Sequence, residues 1–319
     1  MKILVTGAAG FIGSHLCDAL VARGDIVYAI DDLSTGKIEN IRHLIGTFPD
    51  NGFQFLHASV TAPNFDWMYN RCDQVYHLAS SVGVRRIIDR PVEAVRNIVN
   101  TTDAVLTLCN RYHKPLLIAS TSEVYGHSTA VPFREDDDVV LGPSSSPRWA
   151  YAAAKMTDEF LGLAYHRETG LPVRIVRLFN TVGPRQTGQY GMVVPTFIQQ
   201  AKAGDPITVY GSGEQTRCFA SVHDIVPGLM ALMECKNAAG KVVNLGTDQE
   251  ITIRGLADMT AVAASRLCKI QYVSLQDAYG VAFDDMLRRV PDLTRARDLI
   301  GWQPKWGLKE ILEELIRES

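Results

Sequence analysis

Met1-Lys-Ile-Leu-Val5, Thr6-Gly7-Ala8-Ala9-Gly10-Phe11-Ile12-Gly13 and Ser14-His-Leu-Cys-Asp-Ala-Leu-Val21 follow one another at the start of the chain and read as strand, glycine loop and helix. Glycines at 7, 10 and 13 let the backbone turn tightly, approach a pyrophosphate and seat the helix close on the sheet, with the helix N-terminus turned toward the phosphates. A second apolar run, Ile26-Val-Tyr-Ala-Ile30, ends in Asp31-Asp32, eighteen residues past Gly13. A carboxylate there accepts hydrogen bonds from a ribose diol and repels a 2′-phosphate, so the expected dinucleotide is NAD rather than NADP.

Working outward, strand-like runs at about 2–6, 26–30, 53–57, 73–77, 115–119 and 172–178 alternate with helical patterns at 12–23, 92–112 and 148–168. That alternation predicts right-handed crossovers and an α/β fold, a doubly wound parallel Rossmann sheet. Ser146 as N-cap, Pro147 in the first turn and Gly170 after the last bound the third helix. Beyond residue 178 the chain is punctuated by Gly and Pro, as in Gly183-Pro-Arg-Gln-Thr-Gly188 and Tyr210-Gly-Ser-Gly213, around a helical stretch near 192–203. The segment 222–246 returns to the helix-then-strand texture of the first part. The expected division is therefore 1–178 with 222–247 as the dinucleotide-binding domain, and 179–221 with 248–319 as a smaller, discontinuous α/β substrate-binding lobe.

The chain has 319 residues, 46% of them hydrophobic, and a net charge of -3. It can bury a large core, and it presents no positive field or Lys/Arg run suited to nucleic acid or an anionic membrane. No apolar run approaches the ~20 residues of a membrane span, and the N-terminus enters a strand without a signal-type segment, so the expected location is cytoplasmic. Six cysteines carry no C-x-x-C or C-x-x-H spacing, which predicts buried reduced thiols, no disulfide framework and no metal site.

The chemistry centres on Tyr151-Ala-Ala-Ala-Lys155, downstream of the strand that ends in Ser120-Thr121-Ser122-Glu123. An i,i+4 pair shares one helix face, so a phenol and an ammonium can converge on one substrate atom. A tyrosine titrates near ~10 in water, and a neighbouring positive charge favours its anion. Tyr151 is thus the expected base and Lys155 its tuner.

In this order and spacing, the glycine loop, the acidic strand end, Thr121-Ser-Glu123 and Tyr-x-x-x-Lys resemble the extended short-chain dehydrogenase/reductase family of NAD-dependent nucleotide-sugar epimerases, dehydratases and decarboxylases. Tyr76-His-Leu-Ala-Ser80, Arg177-Leu-Phe-Asn-Thr-Val-Gly-Pro-Arg185, Gly213-Glu-Gln-Thr-Arg-Cys-Phe219 and Arg288-Arg-Val-Pro-Asp292 extend the resemblance over essentially the whole chain. The resemblance implies that NAD is held by Gly7, Gly10, Phe11, Ile12, Gly13, Asp31, Asp32, Ser34, Gly36, Lys37, Ser59, Val60, Leu78, Ala79, Ser80, Tyr151 and Lys155. It implies that Asn180, Val194, Tyr210, Arg217 and Arg289 hold the sugar nucleotide, with Arg85 able to reach a sugar carboxylate. Two arginine forks on separate segments suit a diphosphate. Many relatives carry an Asp after the third strand, where this chain has Ser59. The family also commonly pairs its 92–112 and 148–168 helices across a homodimer, which is the expected assembly.

Family members begin alike: the tyrosinate takes the 4-hydroxyl proton as the C4 hydride passes to NAD, and the 4-ketone is the branch point. Thr121, Ser122, Glu123, Tyr151 and Lys155 are the expected catalytic residues. Glu123 distinguishes this chain from simple 4-epimerases, and Ser122 stands where glucose-type dehydratases carry an Asp. The later segments resemble UDP-glucuronate decarboxylases, so the main reading is decarboxylation of UDP-glucuronate to UDP-xylose or its 4-keto intermediate. The alternatives are a UDP-sugar 4-epimerase, which Ser80-Ser-Val-Gly-Val-Arg-Arg86 resembles, an NDP-hexose 4,6-dehydratase, and a non-catalytic NAD-sensing module.

Overall fold

The computed structural model describes residues 1–46, 52–80, 90–146, 148–188, 192–274, 276–277 and 286–318. Arg85 and Pro147, singled out by sequence, lie outside the described residues.

The apolar runs become β1 (Lys2–Thr6), β2 (Ile26–Asp31), β3 (Phe53–His57), β4 (Gln74–His77), β5 (Leu116–Thr121) and β6 (Val173–Leu178). The helix-then-strand segment delivers α6 (Val222–Glu234) and then β11 (Lys241–Leu245), which pairs in parallel with β6 from Lys241↔Arg174 to Leu245↔Leu178. The result is a seven-stranded sheet in the order β11-β6-β5-β4-β1-β2-β3, with every pair parallel. The strand order reverses between β1 and β4, which pair from Ile3↔Gln74 to Thr6↔His77. In a doubly wound sheet the crevice for a ligand opens at that reversal, beyond the carboxyl ends of the strands.

Both faces are covered, which is why the strands read as nearly unbroken apolar runs. On one face α1 (Phe11–Ala22) and α6 bury Leu16, Leu20, Ile225 and Leu229 against Val5 and Leu245. On the other, α2 (Asp66–Arg71), α3 (Pro91–Arg111) and α4 (Arg148–Thr169) close over Leu4, Ile30, Ile118 and Ile175. A buried fork fixes α4 on the sheet: Arg177 Nη2 and Nε on β6 donate to Glu159 Oε2 and Oε1 at 2.8 and 3.0 Å, and Ser120 Oγ donates to the same carboxylate. Removing one partner of such a pair costs about 3–5 kcal/mol, so this contact sets the height at which α4 presents Tyr151.

A third core gathers Phe197 and Ile198 of α5 (Val193–Ala203), Leu256 of α7 (Ile253–Ala263) and Ile311 and Leu312 of α9 (Leu308–Glu318) over Ile207 of β8 (Ile207–Tyr210). Beside it, β9 (Thr216–Cys218) carries β12 (Glu250–Thr252) on one side and β14 (Arg288–Arg289) on the other, while β7 (Thr181–Val182) pairs with β10 (Ala220–Ser221) and β8 with β13 (Ile270–Val273). The stretch 293–302, expected in the smaller lobe, packs on the first core instead. Leu293, Trp302 and Ala296 of α8 (Thr294–Ile300) are buried there, and Trp302 Nε1 donates to Gly246 O at 2.9 Å. An apolar face separated by only a few residues from the lobe's own helix cannot be assigned to one core or the other by periodicity. Among the described residues no helix is long and apolar enough to cross a membrane.

Candidate active site

A cavity of about 390 Å³ opens at the strand-order reversal and is lined from the carboxyl ends of β1 through β6. Its floor is backbone. Gly7 takes φ +71°, and a Cβ there would lie 2.7 Å from Ala79 N; a Cβ on Gly13 would lie 2.0 Å from Gly7 O. The loop and the start of α1 can therefore close on β4 only as glycine, leaving the helix N-terminus facing the cavity.

Asp31, at the end of β2, is buried and accepts from Ala9 N at 2.9 Å and Leu33 N at 2.8 Å. Burial raises its pKa, and the two backbone donors oppose that rise. It thus clamps the glycine loop as well as facing the cavity. Asp32 accepts from Ser34 N at 2.9 Å, a turn that brings Ser34 and Lys37 to the rim.

Thr121, Ser122, Glu123, Tyr151 and Lys155 meet on one wall. Thr121 Oγ1 accepts from Glu123 N at 3.2 Å, and Thr121 stands beside the Tyr151 phenol, where its hydroxyl favours the tyrosinate. Burial dominates the opposite effect: together with the Glu123 and Asp158 charges it holds the phenol well above its ordinary range. Lys155, the expected tuner of the phenol, is held away from solvent with a partner of its own. Its Nζ donates to Asp158 Oδ2 at 2.9 Å, where both side chains are buried. Periodicity put Lys155 on the face of Tyr151 but did not reveal its counter-charge three residues on.

Across the cavity Arg289, from β14, places Nη1 2.7 Å from Glu123 Oε1, with the two side chains 6% and 14% exposed. An arginine expected to hold a diphosphate is thereby engaged with a carboxylate of the reaction wall. A bidentate donor so placed is a receptor for carboxylate as well as phosphate.

Of the residues expected at the cofactor, all but Gly36 line the cavity. Gly36 sits behind it, where a Cβ would meet Ala9 C at 2.9 Å and the Asp31 carboxylate at 3.0 Å. Ser59, which replaces an Asp of many relatives, lines the cavity and shares a hydrogen bond with Thr61 Oγ1 at 2.8 Å. Asn180 and Arg289 also line it. Val194, Tyr210 and Arg217 do not: Val194 is buried in the third core, Tyr210 is exposed on β8, and Arg217 Nη1 donates to Thr216 O and Met286 O at 2.7 and 2.8 Å. Sequence reasoning missed Arg185, Gln186 and Thr187, which line the mouth beside Asn180. The Gly/Pro punctuation of that stretch was a signal of a loop but not of its direction.

A family profile described as GDP-mannose 4,6 dehydratase matches residues 4–315, and the chain belongs to that family. The UDP-N-acetyl-alpha-D-glucosaminuronate decarboxylase of Bacillus cytotoxicus is 37% identical over 317 residues, which are 99% of this chain and 97% of that protein. UDP-glucuronic acid decarboxylase 1 of Xenopus tropicalis is 38% identical over 315 residues, 99% of this chain and 71% of that one. Among solved structures, UDP-glucuronic acid 4-epimerase from Bacillus cereus in complex with UDP-glucuronic acid and NAD is 30% identical with a TM-score of 0.88, covering 100% of both chains.

Proposed function

We propose that the chain is an NAD-dependent decarboxylase of a UDP-linked hexuronate, with UDP-glucuronate the first substrate to test. The observation that carries this reading is the Glu123–Arg289 pair beside Tyr151, a carboxylate-binding arginine poised on the wall where the sugar is oxidised. The glycine floor, the Asp31 carboxylate and the cavity's length along the strand ends fit NAD, whose contribution when bound is to accept the C4 hydride. Tyr151, as its anion, takes the 4-hydroxyl proton and becomes neutral, and Thr121 beside it favours that anion beforehand. With C4 a ketone, the C5 carboxylate is that of a β-keto acid. The C5–carboxyl bond then breaks, its electron pair enters the enolate, and carbon dioxide leaves. Arg289 holds the carboxylate up to that point, and Glu123, or a water it orders, returns a proton to C5. The names of the relatives above support decarboxylation and a UDP carrier.

Retention of carbon dioxide with inversion at C4 is the second reading. It is favoured by the likeness to a UDP-glucuronate 4-epimerase. Mass spectrometry of the products from UDP-glucuronate and UDP-N-acetylglucosaminuronate separates the two: a UDP-pentose or 4-keto-pentose with released carbon dioxide supports decarboxylation, and an isomer of unchanged mass replaces it with epimerisation.

Two lobes, with 293–302 returned to the dinucleotide-binding one, a homodimer and a cytoplasmic location complete the proposal. Phe160 on α4 and Val92 on α3 are 67% and 64% exposed, apolar surface suited to a subunit contact. All six cysteines are free thiols, as suits a reducing compartment.

A further inference from the structure

Tyr151, Lys155 and Asp158 are spaced i, i+4 and i+7, which is one stripe of α4. Asp158 is fully buried and Lys155 nearly so, and their contact is 2.9 Å. Taking two charges out of water costs several kcal/mol per ion, and apolar side chains of similar volume would pack at least as stably. Stability alone does not account for an acid at 158.

The acid has its own support. Ala79 N donates to Thr6 Oγ1 at 3.3 Å, and Thr6 Oγ1 lies 2.8 Å from His77 Nδ1. His77 Nε2 lies 3.2 Å from Thr102 Oγ1, and Thr102 stands beside the Asp158 carboxylate, where its hydroxyl favours the charged form. Buried and beside Lys155, His77 is pushed down to about 3 and stays neutral. In the neutral ring one nitrogen donates and the other accepts, so the two hydroxyls, which can do either, satisfy both. These bonds run from the cavity-lining Ala79 to Thr102, beside the acid that holds the Lys155 ammonium.

We propose that Asp158 is a positioning residue of the Tyr151–Lys155 pair: by holding the Lys155 ammonium and offsetting its charge, it sets how readily Tyr151 gives up its proton. The inference rests on Tyr151 acting as the base in the function proposed above. Among the described residues, the acids next to the stripe have cationic partners of their own. Glu123, from the turn after β5, is paired with Arg289 of β14, and Glu159 is forked to Arg177 of β6. From α3 and β4, Thr102 and the neutral His77 face the acid.

The test is Asp158→Asn, which keeps the shape and an acceptor while removing the charge. Tyrosine labelled with carbon-13 at Cζ reports ionisation by NMR in the ligand-free protein, with the Tyr151 signal assigned by its loss in Tyr151→Phe. The Tyr151 midpoint in Asp158→Asn is expected to fall by on the order of one pH unit, the size of effect a nearby charge exerts. Asp158→Ser is the second uncharged variant should the amide disturb folding, and Asp158→Glu restores the parental midpoint. In turnover, the acid limb of the kcat profile moves to lower pH while KM for the nucleotide sugar holds. An unchanged or raised Tyr151 midpoint in the uncharged variants overturns the inference. A protein that turns over no nucleotide sugar overturns the proposed function instead, and the NMR titration still decides the role of Asp158.

Discussion

Replacing Arg289 with Met removes a cation whose side chain is 6% exposed and 2.7 Å from a carboxylate that is 14% exposed. Breaking a buried pair from one side costs about 3–5 kcal/mol, because the remaining charge has lost its compensation. The slight exposure of Glu123 toward the cavity places this pair at the lower end, about 3 kcal/mol. For 319 residues the unfolding entropy is roughly 0.7 kcal/mol/K, so the thermal midpoint of Arg289→Met should fall by about 4–5 °C. Removing both charges, in Glu123→Gln with Arg289→Met, leaves no uncompensated ion and should recover most of that loss. The functional cost is separate. Truncating one partner of a buried charge pair that also serves a ligand costs at least ~2 kcal/mol, so carbon dioxide release should drop at least ~30-fold in kcat/KM and not recover in the double variant. Differential scanning calorimetry of ligand-free protein and a carbon dioxide release assay read the two effects. Additive losses of stability in the double variant, or a single variant that releases carbon dioxide at the parental rate, would refute the reasoning.

Tyr151→Phe should leave folding and NAD content intact while lowering kcat by about 10²- to 10⁴-fold, the usual loss for a missing base; a variant with parental kcat excludes Tyr151 from that role. Asp31→Ala should weaken NAD binding more than NADP binding, and calorimetric titration showing equal affinity of the parent for both would remove Asp31 from the ribose site. His77 is buried neutral with its pKa pushed down to about 3, whereas the unfolded chain protonates it near ~6.5. Stability from His77 is therefore full above the unfolded value and is lost as pH falls toward the folded one, roughly 2 kcal/mol between about pH 7 and pH 5. Urea titrations should show His77→Asn shedding that part of the acid dependence, and parallel pH dependence in parent and variant would contradict the assignment.

Local rules carried a long way here. Strand, glycine loop and helix at residues 2–22, the acid at the end of β2 and the Tyr151–Lys155 stripe all depend on contacts within a few turns or on one crossover, and each is written as a period or a spacing. The parallel order followed because alternating strands and helices admit few right-handed arrangements. Tertiary structure alone decided which distant charges meet. Glu123 finds Arg289, Lys155 is balanced by Asp158 with Thr102 and His77 beside it, and Arg217 Nη1 donates to backbone carbonyls away from the cavity. The placement of 293–302 on the first core belongs with these. A buried charge has no periodic signature, since its partner is chosen by whichever element the fold packs against it and by the cost of leaving either ion dry and alone.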